Sequence, residues 1–178
     1  MQKSDHLRAI RLWLSFFIAG LIVSGVTAFP LEAELHWFLL VLRTSPLRQT
    51  AEYTHLLPWI THVYDGVSMT NIHYPFLAYG TDWLAFAHLV IAVAFLGPYR
   101  DPVRNKWIIT FGLVACAGVI PLALIAGPIR GIPIAWRAID CSFGVFGAIP
   151  LLLCRWHVLA LESPGASQNL PARPVRLS

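Results

Sequence analysis

The chain has 178 residues, 57% of them hydrophobic and only 12% charged, and its mean hydropathy is +0.63. This is too apolar for an ordinary soluble domain, and the charges cluster between apolar blocks in the manner of an integral membrane protein. Basic residues exceed acidic ones, 13 against 9. Flanks of membrane helices explain that excess better than nucleic acid, which is not an expected partner.

The first apolar block runs from about Leu12 to Phe29, after Lys3, Arg8 and Arg11, within a helix expected over about 8–29. Val26 and Ala28 satisfy a small-residue cleavage pattern, so a signal peptide is one reading. A retained helix is the other, and Gly20, Ser24 and Ala28 at four-residue spacing supply an edge for close packing. The retained helix is the expectation taken forward.

Residues 31–78 contain no spanning-length apolar run but many aromatics, among them Trp37, Tyr53, Trp59 and Tyr64. Two short amphipathic helices are expected, over 34–42 and 47–70, the second with Pro58 as its point of breakage. Leu56, Ile60, Val63 and Val67 keep helical spacing within it. Mixed aromatic and polar residues suit a membrane interface, so the segment is expected to form a helical cap on the outer surface of the bilayer.

Further spanning helices are expected over about 79–98, 107–126 and 134–159. Gly97-Pro98-Tyr99-Arg100 and Gly127-Pro128-Ile129-Arg130 read as two helix stops, since glycine can end a helix and proline cannot continue one. An internal inverted repeat is the sharper reading of that echo, and nothing else in the two helices supports it. The fold class is thus an all-α membrane protein of four transmembrane helices. Residues 1–160 form one domain, and 161–178 a flexible cytoplasmic tail rich in Pro, Ser and Arg.

The basic residues set the threading. With the N-terminus inside, nine of them (Lys3, Arg8, Arg11, Arg100, Arg104, Lys106, Arg155, Arg173 and Arg176) are cytoplasmic, and four (Arg43, Arg48, Arg130 and Arg137) are outside. Both termini are therefore expected in the cytoplasm, with the chain in a bacterial inner membrane. Cys116, Cys141 and Cys154 fall inside apolar segments and are expected to be free thiols.

Polar residues inside spanning helices need a reason. At about 1.5 Å per residue, Asp82 lies roughly 3 Å and His88 roughly 12 Å below the outer helix end; Arg137 lies roughly 4–5 Å and Asp140 roughly 9 Å below theirs. Pro121 should free the Ala117 carbonyl at roughly 13 Å. Matching depths suggest that Asp82 meets Arg137 or Arg130, and that His88 meets Asp140 or that carbonyl. Ala85 and Ala92 beside His88, with Gly144 and Gly147 beside Asp140, mark the faces where helices approach.

One reading is a structural network that sets helix register. Another is an outward-opening pocket of Asp82, His88, Arg130, Arg137 and Asp140 for an amphipathic ligand, a lipid or a quinone, or for a membrane-complex partner. A third makes His88 and Asp140 catalytic, acting on a lipid or quinol, although no nucleophile motif accompanies them. His36, His55, His62 and His73 are weak candidates for a metal site, because no metal-ligand spacing occurs among them. A haem subunit would need a second histidine as deep as His88; His157 is roughly 20 Å lower. No cofactor is required by the sequence, and other subunits or a homo-oligomer are conceivable partners.

The segments YPFLAYGTDWLAFAH, GPYRDPVRNKW, GPIRGIP and IDCSFG resemble those of small uncharacterised bacterial four-helix integral membrane proteins. The likeness covers residues 74–146 and implies a membrane location without carrying an activity or any functional residue.

Overall fold

A computed structural model describes residues 2–163. They fold into eight helices: α1 (Lys3–Ala28), α2 (Leu31–Thr44), α3 (Arg48–Tyr53), α4 (Leu56–His73), α5 (Pro75–Ala94), α6 (Leu96–Arg100), α7 (Lys106–Ile129) and α8 (Ile134–Glu162). Four segments are long and apolar enough to cross a membrane: α1, α5 together with α6, α7 and α8. The tail expected over 161–178 lies outside the described residues from 164 onward, and its first two residues, Leu161 and Glu162, complete α8.

α1 organises the bundle. It packs along α5 on one side and α8 on the other, while α7 packs mainly on α8. Ile10 and Leu14 of α1 are fully buried, with Phe95, Ile109, Leu151 and Cys154 in the same core. Phe95 lies at the crossing, its ring 4.7 Å from that of Phe17. Gly112 makes room for it, because a Cβ there would come within 2.7 Å of both Phe95 and Leu151. At this end of the bundle Lys106 Nζ donates to Glu162 Oε1 at 2.7 Å, and Arg155 donates to the Thr110 hydroxyl at 3.1 Å. The start of α1, the start of α7 and the end of α8 therefore share one face.

Most apolar side chains of the four long helices point outward; Phe16, Trp83, Phe86, Val114, Ile125 and Phe146 are all exposed. On a soluble protein this would be an aggregation surface; hydrocarbon makes it an ordinary lipid face, with backbone polar groups satisfied inside each helix.

The second core belongs to α2, α3 and α4: Leu35, Leu39 and Leu42 face Ala51, Leu57 and Ile60, and Trp136 of α8 packs against them. Val63 and Val67, on the same apolar stripe, are packed beside it. The break in this layer differs from the one expected. It falls at His55, whose φ of 58° is left-handed, and not at Pro58. Pro58 sits in the first turn of α4, where its missing N–H would have had no partner in any case.

The two Gly-Pro pairs also behave differently from the expected stops. Pro98 has no N–H for the Ala94 carbonyl, so the helix breaks at Phe95 and resumes to Arg100. Pro128 is simply incorporated into α7. The stop comes at Gly131, whose φ is +70°; Ile132 N–H donates to the Gly127 carbonyl at 2.9 Å and Gly131 N–H to that of Pro128 at 3.1 Å, a Schellman-type closure.

The close-packing edge of α1 is not the expected one either. Gly20 and Ser24 are exposed, and Gly20 has open space around it. The approach is made by Gly25, where a Cβ would stand 2.9 Å from the Ala85 carbonyl oxygen and 3.0 Å from Leu89. A backbone atom cannot swing aside. Gly25→Ala is expected to destabilise the fold by about 1–3 kcal/mol, while Gly20→Ala stays within about 0.5 kcal/mol of the parent. Reversible unfolding of both variants in one detergent checks the contrast.

Candidate functional site

A wide cleft lies where the C-terminal end of α1 turns into α2, and where α4 leads into α5. Phe29, Pro30 and Ala33, then Val63 and Val67, and Leu77 and Ala78 give a cleft of about 850 Å3 its apolar walls. Glu32, His36, Tyr64, Thr70, Asn71, Thr81 and Asp82 supply its polar groups. Trp37, largely exposed, stands at the rim.

Its geometry follows from short connections. Pro30 forces α2 to start almost immediately after α1. Tyr74 separates α4 from α5, and Pro75 occupies the first turn of α5, where proline is tolerated. These tight turns bring two pairs of helices together and leave the space between them open.

The best-defined polar contact is Asn71 Nδ2 donating to Glu32 Oε2 at 2.6 Å, tying α4 to α2. The Asn71 and Ser68 side chains, in that order, hold the Glu32 carboxyl below the usual carboxylate range against a smaller opposing effect of burial. Across the cleft Asp82 makes no side-chain hydrogen bond or ion pair among the described residues. The His36 ring stands 5.9 Å from that of Tyr64. Two carboxylates, one histidine and no lysine or arginine line the cleft. It can accept hydrogen bonds and stabilise a positive or neutral polar group, and it repels an anion.

The five residues proposed from the sequence do not converge. Asp82 reaches this cleft from α5. His88 lies two turns further along, where its Nδ1 is 2.8 Å from the Leu84 carbonyl, a bond within its own helix. Arg137 borders a separate groove on α8, and Arg130 is exposed at the end of α7. Asp140 is half-buried on α8. The expected pairings of His88 with Asp140, and of Asp82 with Arg130 or Arg137, are absent among the described residues. The physical reason is the position of α1: it packs against both α5 and α8, so equal depth does not mean proximity. Ala85 and Ala92 are buried, but against α1. Gly144 lies against the Cys116 carbonyl of α7, and Gly147 against the Cys116 sulfur. Pro121 does sit inside α7; among the described residues no side chain donates to the Ala117 carbonyl.

The four cap histidines are likewise dispersed. His36 faces Tyr64; His55 begins α4; His62 stands 6.0 Å from the Trp59 ring; His73 Nδ1 is 3.0 Å from the Met69 carbonyl. Among the described residues no three His, Cys, Asp or Glu side chains are grouped as metal ligands. The three cysteines are free thiols.

Sequence reasoning passed over one contact of consequence. His6 and His157 meet with their Nδ1 atoms 2.9 Å apart, joining α1 to α8 at the end away from the cleft. One ring donates and the other accepts, so the contact requires at least one neutral imidazole. Helical depth placed His157 near the end of its helix; a histidine six residues into the chain was the matching signal.

No protein-family model matches the chain, nor does a curated protein or a solved structure.

The Glu32 contact has a definite pH signature. Its carboxyl is depressed from 4.5, so its stabilising contribution is present above that value and is lost as pH falls through the lower folded-state value. The unfolding midpoint of the parent minus that of Glu32→Gln is expected to be constant near neutrality and to shrink below about pH 4.5. Asn71→Ala should move that decline to higher pH. Thermal unfolding across pH 3–7 measures both.

Proposed function

We propose that the protein binds an amphipathic molecule of the bilayer, of the lipid or quinone class, in the cleft between α2, α4 and the beginning of α5. The observation that carries the reading is the composition of the cleft. Its volume of about 850 Å3 is that of a pocket for a ligand of moderate size, in the usual range of about 300–1,000 Å3. Its walls are apolar, and its polar groups gather around Glu32, Asn71 and Asp82. A ligand with an apolar body and a neutral or cationic polar end satisfies both. Arg130 and Arg137, which suit an anion, are not among the residues lining it. A quinol hydroxyl or a lipid amine fits better.

In this reading the chain is a multi-pass protein of a bacterial inner membrane. The asymmetry of basic residues favours both termini in the cytoplasm and the α2–α4 layer on the outer surface, where its aromatic residues meet the interface. The protein then acts as a binding or accessory component rather than through chemistry of its own. His88 has its Nδ1 against the Leu84 carbonyl of its own helix, and neither Asp140 nor another carboxylate is paired with it among the described residues.

Gly66 offers a direct test. It lines the cleft, and a Cβ added there meets nothing within 4 Å, so a side chain can leave the α4 backbone at this position without a clash at its first carbon. Native mass spectrometry of gently extracted parent protein is expected to show a co-purifying lipid or quinone. Gly66→Trp should lose that adduct while keeping its unfolding midpoint within about 0.5 kcal/mol equivalent of the parent. Parent protein without adduct, and unresponsive to added quinone or lipid, would contradict the reading.

A further inference from the structure

The turn between α7 and α8 carries a second arrangement, independent of the cleft. Arg137 is the fourth residue of α8. Its aliphatic stem lies directly on Gly127 of α7: Cγ and Cδ of Arg137 occupy the space that a Gly127 Cβ would need. Its Nε is buried and has no hydrogen-bond partner, and the guanidinium forms no ion pair among the described residues. Arg130 stands exposed at the same turn. A buried guanidinium nitrogen without a hydrogen-bond partner is costly unless an anion completes the group.

Arg137 also forms the head of a groove of about 520 Å3. Below the arginine the groove is almost wholly apolar, lined by Leu124, Ile134, Ala138, Val145 and Phe146, with Cys141 between. Val145 is eight residues beyond Arg137, about 12 Å further along the helix. The groove therefore runs from a fixed cation near the helix end towards the middle of the span. That is the polarity of one phospholipid, head group outward and acyl chain inward. A free phosphate would leave the apolar part unused, and a fatty chain alone would leave the guanidinium unpaired.

We propose that Arg137, seated on Gly127, binds the phosphate of an anionic phospholipid whose acyl chain lies in the α7–α8 groove. Glycine at position 127 is then a positioning residue. Its missing side chain sets where the guanidinium stands, and Arg130 adds positive potential at the rim.

The test uses the full chain in a neutral detergent, titrated with phosphatidylglycerol or phosphatidylcholine and followed by native mass spectrometry. One tight phosphatidylglycerol is expected, bound at least about tenfold more strongly than phosphatidylcholine. Arg137→Gln should abolish that preference, and Gly127→Ala should weaken it in the same way by displacing the arginine. Val145→Trp should weaken both lipids by filling the groove. Arg155→Gln, a charge lost at the opposite end, should change nothing. If Gly127→Ala fails to fold, Arg137→Gln and Val145→Trp still decide the matter. Equal binding of the two lipids, undiminished preference in Arg137→Gln, or competition by soluble glycerol phosphate as effective as by the lipid would each overturn the proposal.

Discussion

The close approach of α1 to α5, with Gly25 against the Ala85 carbonyl, is the constraint on which the rest of the molecule depends. Hydrocarbon offers no hydrophobic drive between helices, so association rests on contact packing, and contact packing requires small residues where backbones meet. α1 uses Gly25 against α5, and Ile10 and Leu14 for the shared core. α7 and α8 meet through Gly144 on the Cys116 carbonyl and through Gly127 beneath Arg137. These contacts make an open arrangement in which α1 joins α5 to the α7–α8 pair.

That arrangement decides where function can reside. With α1 packed on both neighbours, polar residues of α5 and α8 at equal depth belong to different sides of it. Asp82 turns towards the cleft under α2 and α4; Arg137 turns towards α7. A single outer polar layer becomes two places of opposite electrostatic character. One has two carboxylates and no lysine or arginine; the other has a guanidinium without an ion pair among the described residues, over an apolar groove.

Composition and periodicity made the four spans legible, because a run of about twenty apolar residues has few other fates. The helical character of residues 31–78 was legible for a similar reason: Ile60, Val63 and Val67 recur on one face. What sequence could not show was which face of each span meets which neighbour. Gly20 and Gly25 are equally small, and only the crossing geometry distinguishes them. The Gly-Pro pairs misled because proline limits one backbone donor, whereas a helix stops where a left-handed residue closes it, here Gly131. The expected pairings of His88 with Asp140 and of Asp82 with Arg130 or Arg137 are missing among the described residues for the same reason. Depth along a helix follows from counting residues; azimuth and partner come from packing. Asp82 lines the cleft, but Glu32 and Asn71, which bond across α2 and α4, are thirty-nine positions apart and signal nothing to each other in the sequence.

The account stands on an occupied cleft. The most direct measurement is a cryo-electron microscopy map of the protein in nanodiscs of native lipid, with a bound antibody fragment for alignment. It should show elongated non-protein density running along Val67 and Leu77, with its polar end between the Glu32–Asn71 pair and Asp82. A cleft that is closed by contact of α2 with α5, or open and filled only with ordered water, would contradict it.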